Sequence, residues 1–102
     1  MVIRIERTRV HRDSLHAFRI RAMAKVADAR KVGGAIDAHL GSQADGTGYQ
    51  QFVCITRWQT MDALYAWTGG RDLLARPIYF DGLEDALLDF DVQHYIDSES
   101  TN

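Results

Sequence analysis

The chain of 102 residues contains one cysteine, one proline and no long apolar run. A lone Cys54 excludes an internal disulfide and a cysteine-built zinc site. The longest uncharged stretch, which ends at Thr56, falls far short of the roughly 20 apolar residues a membrane span needs. The first ten residues, MVIRIERTRV, lack the apolar core of a secretion signal, so a cytoplasmic protein with no membrane partner is expected. Residues 77–102 hold seven acids and no Lys or Arg. Residues 1–31, by contrast, carry nine Lys/Arg against three acids, a local charge of +6 hidden inside a net charge of -2. A basic beginning suggests an anionic partner, or two chain ends that lie side by side.

What is present is ordinary globular material: 46% hydrophobic and 25% charged residues, enough for one small domain. From Val2 to Arg9 the pattern alternates. Ile3 and Ile5 point one way and Val2, Arg4 and Glu6 the other, which predicts a strand with one well-buried face. Asp13 or Ser14 is the expected cap of a helix whose buried face carries Leu15, Phe18, Ala22, Val26 and Ala29, with Gly33-Gly34 as its stop. Ile36, Ala38 and Leu40 alternate with Asp37 and His39 in a second strand. A flexible Gly41–Gly48 turn with an Asp45-Gly46 hairpin signal follows, then a third strand over YQQFVCITRW. Thr60 caps a short helix with Met61, Leu64 and Trp67 near one face, ended by Gly69-Gly70. Residues 78–91 read equally as helix or as extended chain, and Val92 to Asp97 is the expected last strand.

The order β-α-β-β-α-β is the split, ferredoxin-like α+β arrangement, a four-stranded antiparallel sheet with two helices on one face. Residues 1–98 are taken as the single domain and 99–102 as a polar tail. Phe52, Val53, Cys54 and Ile55 put apolar side chains on both faces of one strand, so the second sheet face needs a cover, and a second copy of the chain is the economical one.

Three local words carry a resemblance. They are Thr56-Arg57-Trp58-Gln59-Thr60-Met61-Asp62-Ala63-Leu64, then Trp67-Thr68-Gly69, and Leu87-Leu88-Asp89-Phe90-Asp91 running into Gln93-His94-Tyr95. In this order the chain resembles the antibiotic biosynthesis monooxygenase superfamily, the dimeric α+β barrels. The resemblance implies a homodimer with a cavity between sheet and helices. It also implies oxidation of a small aromatic, quinol or polyketide-like metabolite by molecular oxygen without a cofactor. The haem-degrading branch places an Asn on the first strand, a Trp at the end of the second helix and a His just beyond. Here Trp67 matches, but the first strand offers Glu6 and Arg7, and no His lies between residues 40 and 93.

Cofactor-independent oxygenation asks for an apolar, aromatic site with one or two groups that deprotonate and hold a hydroxyl. Trp67, His94 as base and Arg57 as a fixed cation for a phenolate are the candidate catalytic residues. Tyr65, Tyr79, Phe80 and Phe18 are the candidate substrate-binding residues, for an apolar aromatic small molecule. The scattered His11, His16, His39 and His94 form no metal motif, so no metal is expected. The first strand lacks the aromatics of an RNA-binding sheet face, so no nucleic acid is expected. A non-catalytic, dimeric small-molecule-binding domain of the same fold is the alternative reading.

Overall fold

A computed structural model of the chain describes residues 1–44, 46–70 and 87–96. Strand β1 (Val2–His11) leads through a 3-10 turn (Arg12–Ser14) into helix α1 (Leu15–Ala29). Strands β2 (Ala35–Ala44) and β3 (Tyr49–Trp58) form a hairpin, followed by helix α2 (Met61–Thr68) and strand β4 (Leu87–Ile96). The sheet order is β2-β3-β1-β4 and each neighbouring pair is antiparallel, which is the ferredoxin-like split arrangement expected.

The caps follow local chemistry. The Thr60 side chain accepts from the Ala63 N–H at 3.2 Å and starts α2, and Gly69, at φ 91°, closes it through its N–H to Tyr65 O. At α1 Ser14, one of the two expected caps, holds the N-cap position, but the capping chemistry differs. His11 caps the 3-10 turn by accepting from Asp13 N–H, and Ser14 makes no side-chain cap bond. The helix stops at Ala29 with Arg30 still right-handed, and the Gly33-Gly34 pair lies beyond it. Gly34 serves another purpose. With φ 92°, it brings the start of β2 so close to α2 that an added Cβ would sit 2.7 Å from Ala63 Cβ.

Two strands differ from expectation. Gly41 to Ala44 is paired with β3 and extends β2 instead of forming the turn, and Ile36 sits at a register shift, 42% exposed. Strand β4 begins at Leu87, because pairing to β1 from Val10 onwards draws 87–91 into the sheet. The helical alternative for residues 78–86, and Tyr79 and Phe80 with it, lies outside the described residues.

The helix-covered face of β1 carries Val2, Arg4, Glu6, Thr8 and Val10, all buried, while Ile3 and Ile5 lie half-buried on the opposite face. Ile5 pairs with Ile55 there and Arg7 with Val53. Under the helices, Phe18, Ala22, Val26 and Ala29 pack with Ala38, Phe52, Cys54, Trp58 and Leu64 to make the core. No helix among the described residues is long and apolar enough to cross a membrane.

Part of the charge split resolves within the chain. Strand β4, from the acidic end, lies beside β1, and Arg7 pairs with Asp91 at 3.6 Å and Arg9 with Asp89 at 3.1 Å. Arg4 behaves differently. It points inward and pairs with Glu6, and Asp97 lies outside the described residues.

Candidate functional site

The inner face of the sheet contains a polar strip that an apolar core does not require. Arg4 and Glu6, two apart on β1, share one face because strand side chains alternate. Arg4 Nε donates to Glu6 Oε1 at 2.8 Å and Nη2 to the same oxygen at 2.6 Å, with both side chains 1% exposed or less. Across the sheet, Arg4 stands opposite Thr56 of β3 and His94 of β4. Arg4 Nη1 lies 2.8 Å from His94 Nε2. A guanidinium only donates, so Nε2 accepts and the ring proton of neutral His94 sits on Nδ1. Burial, and then the Arg4 charge, hold His94 below its ordinary value of 6.5, so the imidazole is neutral at pH 7.

An aromatic pair adjoins the strip. Trp58, fully buried at the end of β3, donates its Nε1–H to Thr56 Oγ1 at 2.8 Å. Trp67, delivered by the last turn of α2, lies against it with ring centroids 5.3 Å apart and planes 31° from parallel. Trp67 Nε1 is buried and has no hydrogen-bond partner among the described residues, and neither has Thr8 Oγ1 further along β1. A buried indole N–H normally finds an acceptor. Cys54, in the row beside Glu6, is no nucleophile, since burial pushes its thiol up to about 12.

The residues singled out from the sequence part company here. Trp67 and His94 both face the inner side, Trp67 against Trp58 and His94 against Arg4. Arg57 does not. One step along β3 from Trp58 turns it to the opposite sheet face, where Nε is 2.8 Å from each Asp37 oxygen and Nη2 also donates to Asp37. That guanidinium holds the Asp37 carboxyl below its ordinary value of 3.8. The cation beside His94 is Arg4. Phe18 is a core residue, fully buried and 4.9 Å from the Phe52 ring, and Tyr65 is half-buried on α2. Arg4 and Glu6 escape a reading that assigns charge to the solvent side of a strand. The available signal was opposite charges at i and i+2, framed on the same face by Val2 and Val10.

Among the described residues no group of three or more His, Cys, Asp or Glu is placed to hold a metal ion. The arrangement instead offers a neutral imidazole, a fixed guanidinium, an indole donor and aromatic walls.

Comparison with known proteins agrees with this fold. No family model matches the chain, and no curated protein matches it. Solved structures do. A protein from Deinococcus radiodurans, provisionally assigned as an antibiotic biosynthesis monooxygenase, superposes with a TM-score of 0.79 at 16% identity, over 100% of this chain and 97% of that one. Rv0793 from Mycobacterium tuberculosis gives 0.77 at 22% identity, over 99% and 98%. SnoaB from Streptomyces nogalater, a cofactor-independent oxygenase, gives 0.68 at 14% identity, over 98% and 95%. The chain therefore has the fold of the antibiotic biosynthesis monooxygenase structures along essentially its whole length.

Proposed function

We propose that this chain is a cofactor-independent monooxygenase of the antibiotic biosynthesis monooxygenase superfamily. In this reading it oxidises a small aromatic, quinol or polyketide-like metabolite with molecular oxygen. The observation that carries the reading is the Arg4–His94 contact on the buried sheet face beside the Trp58–Trp67 pair. In this reading a phenolic substrate lies against the Trp67 indole, and its hydroxyl displaces the Arg4–His94 hydrogen bond, which frees the Nε2 lone pair. His94 Nε2 takes the hydroxyl proton and the phenolate oxygen accepts from Arg4 Nη1, so the developing anion meets a fixed positive charge. The electron-rich anion passes one electron to molecular oxygen. The resulting radical and superoxide combine at a ring carbon bearing hydrogen to give a peroxide, which loses water to leave a carbonyl. One oxygen atom enters the substrate, the other leaves as water, and the substrate loses two hydrogens. Trp67 Nε1–H orients a second substrate oxygen.

The reading includes a homodimer formed by the sheet face that carries Ile3, Ile5, Val53 and Ile55, and a cytoplasmic location in keeping with one free, buried thiol. SnoaB supports the activity by its fold, and the inner-face chemistry supports it independently. The test is oxygen uptake over a panel of hydroquinones and anthrone-type substrates. Uptake should match the carbonyl product one to one and fall at least tenfold in Trp67→Ala and His94→Ala. Turnover no higher than in those variants overturns the reading. It would leave a non-catalytic binding domain, which the complete burial of Phe18 and Trp58 in the interior favours.

A further inference from the structure

Two arginines at the α1–β2 side of the molecule differ from those of β1. Arg4, Arg7 and Arg9 each have an acidic partner in the chain. Arg19 and Arg30 of the α1 segment have none among the described residues. Both line a hollow of about 290 Å³ between α1 and the β2–β3 hairpin, together with Met23, Leu40, Ser42 and Phe52. Its floor is apolar, since Phe52 is buried and Leu40 packs on the core. At its lip, Met23 stays 57% exposed, an apolar surface left in water. Arg30 is clamped at one end by Nε and Nη2, which donate to Ala38 O at 3.2 and 2.8 Å. The guanidinium is thereby held in place, and its Nη1 has no partner among the described residues. Arg19 stands with Cζ 5.9 Å from the centroid of the Phe52 ring. The hollow is lined by β2 and β3, with β1 between them and β4, the strand that carries His94.

We propose that this hollow is a binding site for a small amphipathic carboxylate, with an apolar body on Phe52, Leu40 and Met23 and a carboxylate held by the two guanidiniums. An apolar bed with a few convergent polar groups is what a small-molecule site needs, and a cation fixed before binding loses little freedom on binding. Arginine suits a carboxylate through its paired donors. The same charge on a flat, open surface would instead serve an anionic membrane, but a concave apolar floor favours a single molecule.

Octanoate is the probe, titrated into the full chain and followed by amide chemical shifts. Shifts should concentrate at Arg19, Met23, Arg30, Ser42 and Phe52, and octan-1-ol should bind at least fivefold more weakly. Arg19→Gln and Arg30→Gln should each weaken octanoate at least fivefold, and the same spectra report whether the variants are folded. Arg19, exposed on the helix, keeps the test valid if Arg30→Gln loosens β2. Equal binding of acid and alcohol, or shifts centred on Trp67 and His94, overturns the proposal. So does binding to vesicles containing phosphatidylglycerol without binding to octanoate, which would make the helix a membrane surface.

Discussion

Arg4 Nη1 and His94 Nε2 lie 2.8 Å apart, and this contact selects the imidazole tautomer. A donor-only neighbour keeps the Nε2 lone pair occupied and the proton on Nδ1. His94 is held below 6.5 by burial first and by the Arg4 charge second. The unfolded chain therefore binds a proton at His94 more readily than the folded one, so folding stability rises with pH through this group. The contribution is complete above about pH 6.5 and is lost as pH falls through the folded value. Thermal melts from pH 4.5 to 7.5 should show Tm rising with pH, and His94→Gln should flatten the part of the curve below 6.5. Nitrogen shifts of the ring should give Nε2 as the unprotonated nitrogen at pH 7. A His94 that titrates above 6.5 contradicts the contact.

Glu6→Gln should be the costliest single polar change on β1. It leaves the Arg4 charge buried without its carboxylate, and breaking a buried pair from one side costs about 3–5 kcal/mol. Against a typical domain stability of about 5–15 kcal/mol this is a large share. Asp91→Asn, which breaks the exposed pair with Arg7, should cost at most about 1 kcal/mol. Urea unfolding of the two variants checks the contrast. Similar losses would mean that the inner pair is wet.

The strand and helix order was legible because each element carries its own period: alternation from Val2 to Arg9, and threes and fours from Leu15 to Ala29. The boundaries were less so. Gly41 to Ala44 has turn composition yet pairs along β3, because a hairpin partner supplies hydrogen bonds that local propensity does not foresee. Leu87 to Asp91 fits either a helix or a strand, and only the neighbouring β1 decides. At the site, Trp67 and His94 were recognisable as residue types that do chemistry. Arg57 was a plausible cation, but whether it faces inward depends on a register shared with Trp58, and Arg4 faces inward in its place. Burial of a charge is a property of the assembled sheet, visible only once β3, β1 and β4 are in register.

Gly34→Ala tests the approach of the β2 start to α2. The methyl would meet Ala63 Cβ at 2.7 Å, and φ of 92° is strained for any side chain. Gln59 N–H also donates to Gly34 O at 2.8 Å, so the turn cannot shift without losing that bond. A loss of about 2–4 kcal/mol is expected from overpacking and backbone strain together. Gly33→Ala, with nothing within 4 Å of the added carbon, should be far milder. Denaturant midpoints of the two variants give the comparison, and equal effects would show that the Ala63 contact is relaxed.

The outer sheet face makes the last prediction, which rests on the proposed homodimer. Ile5 lies half-buried in a row with Ile55, while the neighbouring Arg7–Asp91 and Arg9–Asp89 pairs are solvent-exposed. Exposed pairs contribute about 0–1 kcal/mol each and are screened by salt, whereas burial of an apolar side chain is worth about 1.5–3 kcal/mol and is not. If the isoleucines and valine are the main adhesive, raising NaCl to about 0.5 M, where the screening length is a few ångströms, should leave the dimer intact. Ile5→Glu should dissociate it, since two copies would bury two carboxylates with no partner. Light scattering on a sizing column reads both outcomes. A dimer that falls apart in salt yet survives Ile5→Glu would assign the association to the charged pairs, and the inner-face chemistry would then have to be tested on the monomer.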